Sequence, residues 1–505
     1  MTEEDVDKKG SRKWILIALM FTLMLAAMDT TIVSTSIPEI VENLGGFALF
    51  GWVFSIYLLT QTVTIPIYGK LADLYGRKPI LIVGSIIFLI GSAASALSWN
   101  MVSLIFFRGL QGLGAGSIMA TVNTLAGDLY TVRERAKIQG YLSSVWGMAA
   151  IVGPTLGGAF SQYTSWRWIF LINIPIGITA IILLLIHLHE VPPRQKQRID
   201  FWGAFLMLVS GTLLVFTLLQ NGQSWPWLSI PGLGLFFLTI ISIIITIRVE
   251  AKSAEPIIPK WIWTNKILSG SNLAAMGLGA IMIGPSMYLP VFGQSVLGLG
   301  AIAAGLMLAS SSLTWPLASS WSGHLYLKID FRNSAIIGVL LIIIATIGFG
   351  TIPYQSSAWL IVLDQLVIGA GFGLLSTPTL VGIQSIVKWD KRGVVTGANM
   401  FSRYLGQSIG AAVLGSLFNT SIAGWLAQAP KQLQSKLPDN VDKVIDILQT
   451  KGIAEDIESY LRKGFYFASH SVYIGMAVIA IATVLALSTL PRKFPVVEDN
   501  TQDKK

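Results

Sequence analysis

Residues 79–98 read PILIVGSIIFLIGSAASALS, a run of 20 residues without a single charge. A helix of about 20 apolar residues spans the hydrocarbon core of a lipid bilayer. Runs of this kind recur along the 505 residues, and the whole chain is 53% hydrophobic and only 12% charged. A soluble domain carries about 25% charged residues. The sequence therefore predicts an all-α polytopic membrane protein, and it excludes a soluble enzyme.

Fourteen such runs are predicted to span the membrane, and their unbroken apolar character excludes a β-barrel of alternating strands. They lie near residues 14–37, 49–69, 79–98, 101–126, 137–160, 167–189, 201–220, 230–248, 267–292, 301–322, 334–353, 358–386, 395–419 and 465–490. An even number places both termini on one side. Most of the 35 basic residues fall on that side. By the positive-inside rule both termini are predicted to be cytoplasmic, and the net charge of +9 reflects topology rather than nucleic-acid binding.

The chain also repeats itself at a constant offset of 257 residues. Seven residues, mostly glycines, recur in this register: Gly112, Gly114, Gly116, Arg135, Gly140, Gly153 and Gly158 match Gly369, Gly371, Gly373, Arg392, Gly397, Gly410 and Gly415. A parallel repeat is typical of two six-helix halves around a central site. We therefore expect a 6 + 2 + 6 arrangement: a tail over 1–13, a bundle over 14–190, a linker with two inserted helices over 191–266, a bundle over 267–490 that includes an outer segment over 420–464, and a tail over 491–505.

Four charged residues within or beside the predicted spans are candidates for function: Asp29, Arg108, Asp364 and Arg403. Such residues are costly in lipid and usually functional. Asp29 either couples transport to protons or only holds helices together. Arg108 cannot lose its charge and must face the protein interior, water or a carboxylate, where it can form a purely structural ion pair. Arg403 either receives an anionic substrate group or stabilises a closed state. Asp364 is either a second protonatable site or an interfacial residue.

Four segments carry a family resemblance: MDTTIVSTSIP at residues 28–38, GKLADLYGRK at 69–78, GMAAIVGPTLGG at 147–158 and RGLQGLGAG at 108–116. The second resembles the loop motif of the major facilitator superfamily, and the third resembles its antiporter motif. The first is similar to the signature of the fourteen-helix drug:proton antiporter branch, except that Ser34 stands where that branch usually has Asn. The resemblance extends over roughly residues 14–490.

The resemblance implies a major facilitator fold with 14 transmembrane helices and a set of functional residues. It implies that Asp29 and Arg108 couple transport to protons. The gating motif it implies consists of Gly69, Asp73, Gly76, Arg77 and Lys78. The antiporter motif, which would restrict leak through the closed seam between the halves, consists of Gly147, Gly153, Pro154, Gly157 and Gly158. We expect a central substrate cavity lined by Asp29, Gln61, Trp146, Trp315, Asn399 and Arg403. In the fifth span, Pro154 is expected to kink or weaken the helix.

The implied function is proton-coupled export of hydrophobic or amphipathic drugs by alternating access, with cations favoured. We expect a monomer in a bacterial cell membrane whose partners are the proton, a small hydrophobic substrate and the bilayer. The sequence shows no phosphate-binding loop, nucleophile elbow or metal-ligand cluster, so no enzyme activity, cofactor or metal is expected. An exporter of one endogenous lipid, metabolite or peptide stays open as an alternative, and so does a receptor or scaffold that does not transport.

Overall fold

The structure is a computed structural model of the chain. It describes residues 3–45, 49, 51–190, 200–220, 228–253, 256–354, 356–430, 433, 437 and 454–497. These residues form helices joined by short turns, and no strand occurs among them. The prediction of an all-α protein is therefore confirmed.

The helices fall into three groups along the chain. The first group is α1 (Glu3–Thr35), α2 (Ile37–Leu44), α3 (Gly51–Tyr75), α4 (Arg77–Ala96), α5 (Met101–Leu129), α6 (Val132–Tyr163), α7 (Trp168–Leu171) and α8 (Asn173–His187). The inserted pair is α9 (Phe201–Gln220) and α10 (Ile230–Glu250). The last group is α11 (Trp261–Thr264), α12 (Lys266–Ser295), α13 (Ala301–Ala309), α14 (Ser311–Gly350), α15 (Ala358–Ser385), a 3-10 turn (Trp389–Lys391), α16 (Arg392–Ala427) and α17 (Glu455–Ser488).

Ten helical stretches within the described residues are long and apolar enough to cross a membrane. One of them contains two predicted spans, because α14 is broken at Asp330, where φ is 70°. The predicted sixth span is divided into α7 and α8. A polytopic helical architecture is thus observed, while the number fourteen stays a prediction. Within the outer segment, residues 438–453 lie outside the described part of the chain.

Repeated glycines occupy equivalent places in the two halves. A Cβ atom added to Gly112 on α5 would lie 2.5 Å from the carbonyl oxygen of Tyr57 on α3. A Cβ atom added to Gly369 on α15 would lie 2.1 Å from the carbonyl oxygen of Ser311 on α14. Each glycine therefore lets two helices of its own half approach closely. The sequence repeat corresponds to a repeat of helix packing.

Another repeated pair lies on the seam between the halves. Gly140 on α6 faces Ser320 of α14, and Gly397 on α16 faces the carbonyl oxygen of Ile65 on α3. The first half thus meets the second along two helix pairs, α6 with α14 and α3 with α16. We call this surface the seam. A central cavity and a closed end of the seam, described next, both depend on it.

Candidate functional site

A cavity of about 400 Å³ lies between the halves and is lined by helices from both. Five of the six residues predicted to line it do so: Gln61, Trp146, Trp315, Asn399 and Arg403. Apolar side chains such as Leu23, Met119 and Met400 share the wall with polar ones such as Asn123 and Gln407. A mostly apolar chamber with a few placed polar groups is typical of a small-molecule site.

Asp29 is the sixth residue predicted for the cavity, and the structure places it outside the lining. Its neighbour Thr30 lines the cavity, whereas the Asp29 side chain is fully buried behind the wall. The reason is electrostatic: a buried carboxylate needs a cation and hydrogen-bond donors, and these are supplied by α5 rather than by the cavity.

Asp29, Arg108 and Gln111 form a closed triangle of hydrogen bonds, which we call the membrane cluster. The Nη1 atom of Arg108 donates to Oδ2 of Asp29 over 2.5 Å and to Oε1 of Gln111 over 2.8 Å. The Nε2 atom of Gln111 donates to Oδ1 of Asp29 over 2.7 Å. All three side chains are completely buried. A buried charge pair of this kind is stabilised because both carboxylate oxygens of Asp29 accept hydrogen bonds, although the Nη2 atom of Arg108 has no hydrogen-bond partner among the described residues.

The membrane cluster also joins a third helix of the same half. The Nε atom of Arg108 donates to the carbonyl oxygen of Val53 over 3.3 Å, and the guanidinium lies 4.3 Å from the ring centre of Tyr57. Both residues belong to α3. Because Arg108 stays charged at any accessible pH, protonation of Asp29 would leave an uncompensated cation among α1, α3 and α5.

A second group of charges closes one end of the seam, and we call it the latch. It consists of Asp73, Arg77 and Asp128 from the first half with Trp389, Arg392, Gly393 and Val394 from the second half. Arg77 donates to Asp73 over 2.8 Å and to Asp128 over 2.8 Å. It also donates to the carbonyl oxygen of Trp389, and its guanidinium lies 3.6 Å from the Trp389 ring centre. Arg77 therefore contacts both halves at once.

Asp73 caps a helix of the opposite half. Its two carboxylate oxygens accept hydrogen bonds from the backbone N–H groups of Gly393 and Val394, each over 2.8 Å. These are the first free donors of α16, where the helix dipole also favours a negative charge. Burial raises the pKa of Asp73 to about 7, although Arg77 and the two N–H groups partly oppose this shift.

Close backbone contact makes this cap geometrically feasible. A Cβ atom added to Gly69 would lie 2.5 Å from the carbonyl oxygen of Gly393, so only glycine fits there without displacement. On the same face, Arg392 donates to Asp128 over 3.1 Å. A further bond crosses the seam, since the Nε2 atom of Gln384 on α15 donates over 3.0 Å to the carbonyl oxygen of Asn123, a residue that lines the cavity.

Two residues of the loop motif stay within the first half. Gly76 has a φ of 98°, a conformation that favours glycine, and it turns the chain into α4. The carboxylate of Glu190 then accepts from the backbone N–H groups of Arg77 and Lys78 over 2.8 and 2.7 Å. The Nζ atom of Lys78 donates to the carbonyl oxygen of Leu188 over 2.6 Å. Gly76 and Lys78 therefore hold α4 rather than the seam.

The predicted antiporter residues are divided between two neighbours of α6. Gly147 faces Ser312 of α14 across the seam, while Gly153 faces Thr31 of α1. The carbonyl oxygen of Gly157 accepts from Ser36, and a Cβ atom on Gly158 would meet nothing within 4 Å. Helix α6 continues from Val132 to Tyr163 through Pro154, so that proline does not end the helix.

Asp364 lies on α15 far from both charge groups. Its carboxylate accepts from the Nε2 atom of Gln365 over 3.2 Å, and no ion pair involves it among the described residues. It lines a small groove with Leu360 and Leu363, whose side chains are strongly exposed. The groove therefore faces outward, where lipid would surround the protein.

Several functional partners are not among the predicted residues: Gln111, Asp128, Glu190, Trp389 and Gly393. Gln111 could have been found from its spacing, since it stands three residues after Arg108 and shares its helix face. Asp128 precedes a basic segment at the end of α5, which is a weaker signal. The backbone donor of Gly393 leaves no trace in the sequence.

Comparisons with known proteins agree with this architecture. The sequence profile of the Major Facilitator Superfamily matches residues 19–411. The chain is 31% identical to the multidrug transporter protein MdtP of Bacillus subtilis (strain 168), with 99% of this chain and 96% of that relative covered. It is also 31% identical to multidrug resistance protein 3 of the same strain, with 96% and 95% covered. The solved structure of the human organic anion transporter MFSD10 (TETRAN) has a TM-score of 0.65 and 13% identity, covers 94% of this chain and 99% of that one, and shows a shared fold.

Proposed function

The chain belongs to the Major Facilitator Superfamily, and on that premise we propose that it exports amphipathic drugs in exchange for protons. Its similarity over nearly full length to multidrug transporters of Bacillus subtilis supports drug efflux. The observation that carries proton coupling is the membrane cluster, because a titratable acid lies one residue from the cavity wall. We place the protein in a bacterial cell membrane as a monomer, with both termini and the latch on the cytoplasmic side.

In this proposal the described conformation is open to the outside and closed by the latch. A proton from the outside binds Asp29 and breaks its ion pair with Arg108. The freed cation changes the packing of α1, α3 and α5, and the seam then opens on the latch side. Release of the proton to the cytoplasm restores the pair. Substrate and proton thus favour different conformations, which is the thermodynamic requirement for exchange.

The test is proton movement in everted vesicles that contain the wild type or the Asp29→Asn variant. Substrate added to energised vesicles should collapse the pH gradient with the wild type, and the variant should lose at least nine tenths of this signal at equal expression. Asp364→Asn is the matched control, since it removes another intramembrane acid, and it should behave as the wild type. Full coupling in Asp29→Asn would overturn the mechanism.

A panel of chemically varied substrates in the same vesicles addresses the breadth of export. We expect several unrelated amphipathic compounds to collapse the gradient, because the apolar wall and adaptable methionines of the cavity do not define one shape. A response to one compound alone would instead indicate an exporter of a single endogenous molecule. No proton movement with any compound would favour a scaffold.

A further inference from the structure

We propose that Arg403 receives an anionic headgroup, so that the cavity selects amphipathic organic anions over cations. This inference rests on the proposed function and names its substrate class. Among the described residues that line the cavity, Arg403 carries a full charge and no side chain is a carboxylate. A cation that enters would meet like charge without a counterion, whereas an anion would meet a fixed positive charge. This proposal departs from the preference for cations that the sequence led us to expect.

The arginines of the two charge groups have their charges satisfied inside the protein. Arg108 pairs with Asp29, Arg77 pairs with Asp73 and Asp128, and Arg392 pairs with Asp128. Within the described part of the chain, no carboxylate lies at ion-pair distance from Arg403. Because an arginine cannot lose its proton, a partly buried guanidinium without a carboxylate partner favours a ligand that supplies the negative charge.

Two donors at the cavity wall have no partner in the protein. The Nε–H group of Arg403 is buried and donates to no acceptor in the described part of the chain, and the same holds for the indole Nε1–H group of Trp315. Both residues line the cavity. A buried N–H group without an acceptor costs about 1–3 kcal/mol. A carboxylate, sulfonate or phosphate group in the cavity would add the negative charge that Arg403 lacks, and a small rotation of either side chain would turn its unpaired donor toward that group.

The internal repeat supplies the apolar end of the site. At the offset of 257 residues, Arg403 is equivalent to Trp146, and both residues line the cavity from opposite halves. One duplicated position therefore presents a cation on one wall and a large aromatic ring on the other. A ligand with an anionic head and an apolar body matches this polarity. The volume of about 400 Å³ lies within the range of drug-sized sites.

The experiment compares three probes that share one fluorophore and differ in charge: dansylglycine, dansylglycinamide and dansylcadaverine. Binding to the purified full-length protein is measured by fluorescence titration. The wild type should bind the anion most tightly and the cation least tightly. Arg403→Gln should weaken binding of the anion about tenfold or more and change that of the neutral amide by less than twofold. Arg403→Lys should retain the preference for the anion.

The matched control is Arg462→Gln, which removes a positive charge from a partly exposed pair with Glu458 on α17. It should leave all three affinities unchanged. Tightest binding of the cation by the wild type would overturn the inference, and so would an equal loss for all probes in Arg403→Gln, which would indicate a structural role. If Arg403→Gln does not fold, the inference is tested by the order of affinities for the three probes in the wild type and in Arg403→Lys.

Failure of this inference is distinguishable from failure of the proposed function. Charge selectivity is a binding measurement that requires no proton gradient. If the anion preference is absent while Asp29→Asn still abolishes proton movement, only the substrate class is wrong. If the anion preference is present while Asp29→Asn retains proton movement, only the coupling mechanism is wrong.

Discussion

The membrane cluster and the latch are both buried networks of Asp and Arg, yet they differ in which helices they join. The membrane cluster lies wholly within the first half, on α1, α3 and α5. The latch joins that half to the 3-10 turn and α16 of the second half. A rigid rotation of the halves would carry the membrane cluster along intact, whereas the same rotation must break the latch.

This difference assigns the two networks to different equilibria. The membrane cluster stabilises the fold of one half, and its protonation can influence the seam only by changing the shape of that half. The bonds of the latch that cross the seam stabilise one conformation against another, while the pairs of Arg77 with Asp73 and Asp128 lie within the first half. Substitutions at the cross-seam contacts should therefore change the distance across the seam more than they change unfolding.

The largest effect is expected from Arg108→Leu. This change leaves Asp29 buried without its cation, and loss of one partner of a buried pair costs about 3–5 kcal/mol. The thermal unfolding midpoint in detergent should fall markedly. The double variant Asp29→Leu with Arg108→Leu should recover most of the loss, because no lone charge remains. A double variant as unstable as the single one would contradict this account.

Gly69→Ala should weaken the latch and leave the membrane cluster intact. Its Cβ atom would lie 2.5 Å from the carbonyl oxygen of Gly393, and overpacking of this kind costs about 1–3 kcal/mol. The closed seam should lose population by about tenfold or more, while the unfolding midpoint changes little. The chain contains no cysteine, so spin labels at Tyr75→Cys and Lys388→Cys report the distance across the seam cleanly.

Gly158→Ala is the control for that measurement, since its Cβ atom would meet nothing within 4 Å. It should leave both the distance distribution and the unfolding midpoint unchanged. If Gly69→Ala lowers the unfolding midpoint as much as Arg108→Leu and leaves the distance unchanged, the two networks do not differ in the way described.

The latch should also respond to pH through Asp73. Burial raises the pKa of this carboxyl to about 7 in the closed seam, and in an open seam, where water reaches it, its pKa should return toward 3.8. The closed state then binds the proton more tightly. Its extra stabilisation is complete below about pH 3.8 and is lost as the pH rises through about 7. From pH 8 to pH 6, the ratio of closed to open seams should increase about tenfold.

The same spin-label pair measures this ratio as a function of pH. Asp73→Asn should remove most of the pH dependence, because the amide does not titrate. A dependence of the opposite sign, with the seam opening at low pH, would mean that loss of the ion pair with Arg77 outweighs relief of the burial cost.

Isolated charged residues within apolar spans made part of the membrane cluster and of the cavity lining predictable from the sequence. Asp29, Arg108 and Arg403 stand out because each interrupts a span, and the structure confirms that the chain is helical and polytopic. The partners were less accessible. Asp29 and Arg108 are 79 residues apart, and Asp73 is bonded to backbone groups more than 300 residues away. Backbone donors carry no sequence signal, so the cross-half cap could be found only in three dimensions.

The wall of the cavity shows a second limit of sequence reasoning. The depth of Asp29 along its span led us to predict it among the residues that line the cavity. The orientation of α1 about its axis instead turns Thr30 toward the cavity. One residue of helix rotation, about 100°, decides whether a carboxylate faces the substrate or Arg108. With Asp29 in the cavity wall a cationic substrate would be expected. With Asp29 turned toward Arg108, Arg403 is the charged residue among the described residues of the wall, and an anionic substrate is expected instead.

The smallest effect is expected from Asp364→Asn, a variant that compares an acid without an ion pair with the ion-paired Asp29. Asp29 has a cation to lose, whereas Asp364 has a single amide donor from Gln365 and lies at an outward-facing groove. Removal of its charge should therefore leave the unfolding midpoint unchanged or slightly raised, within about 1 kcal/mol, with proton movement intact. Loss of proton movement at normal expression would show instead that the second half carries a coupling acid of its own, and the membrane cluster would then account for only part of the exchange.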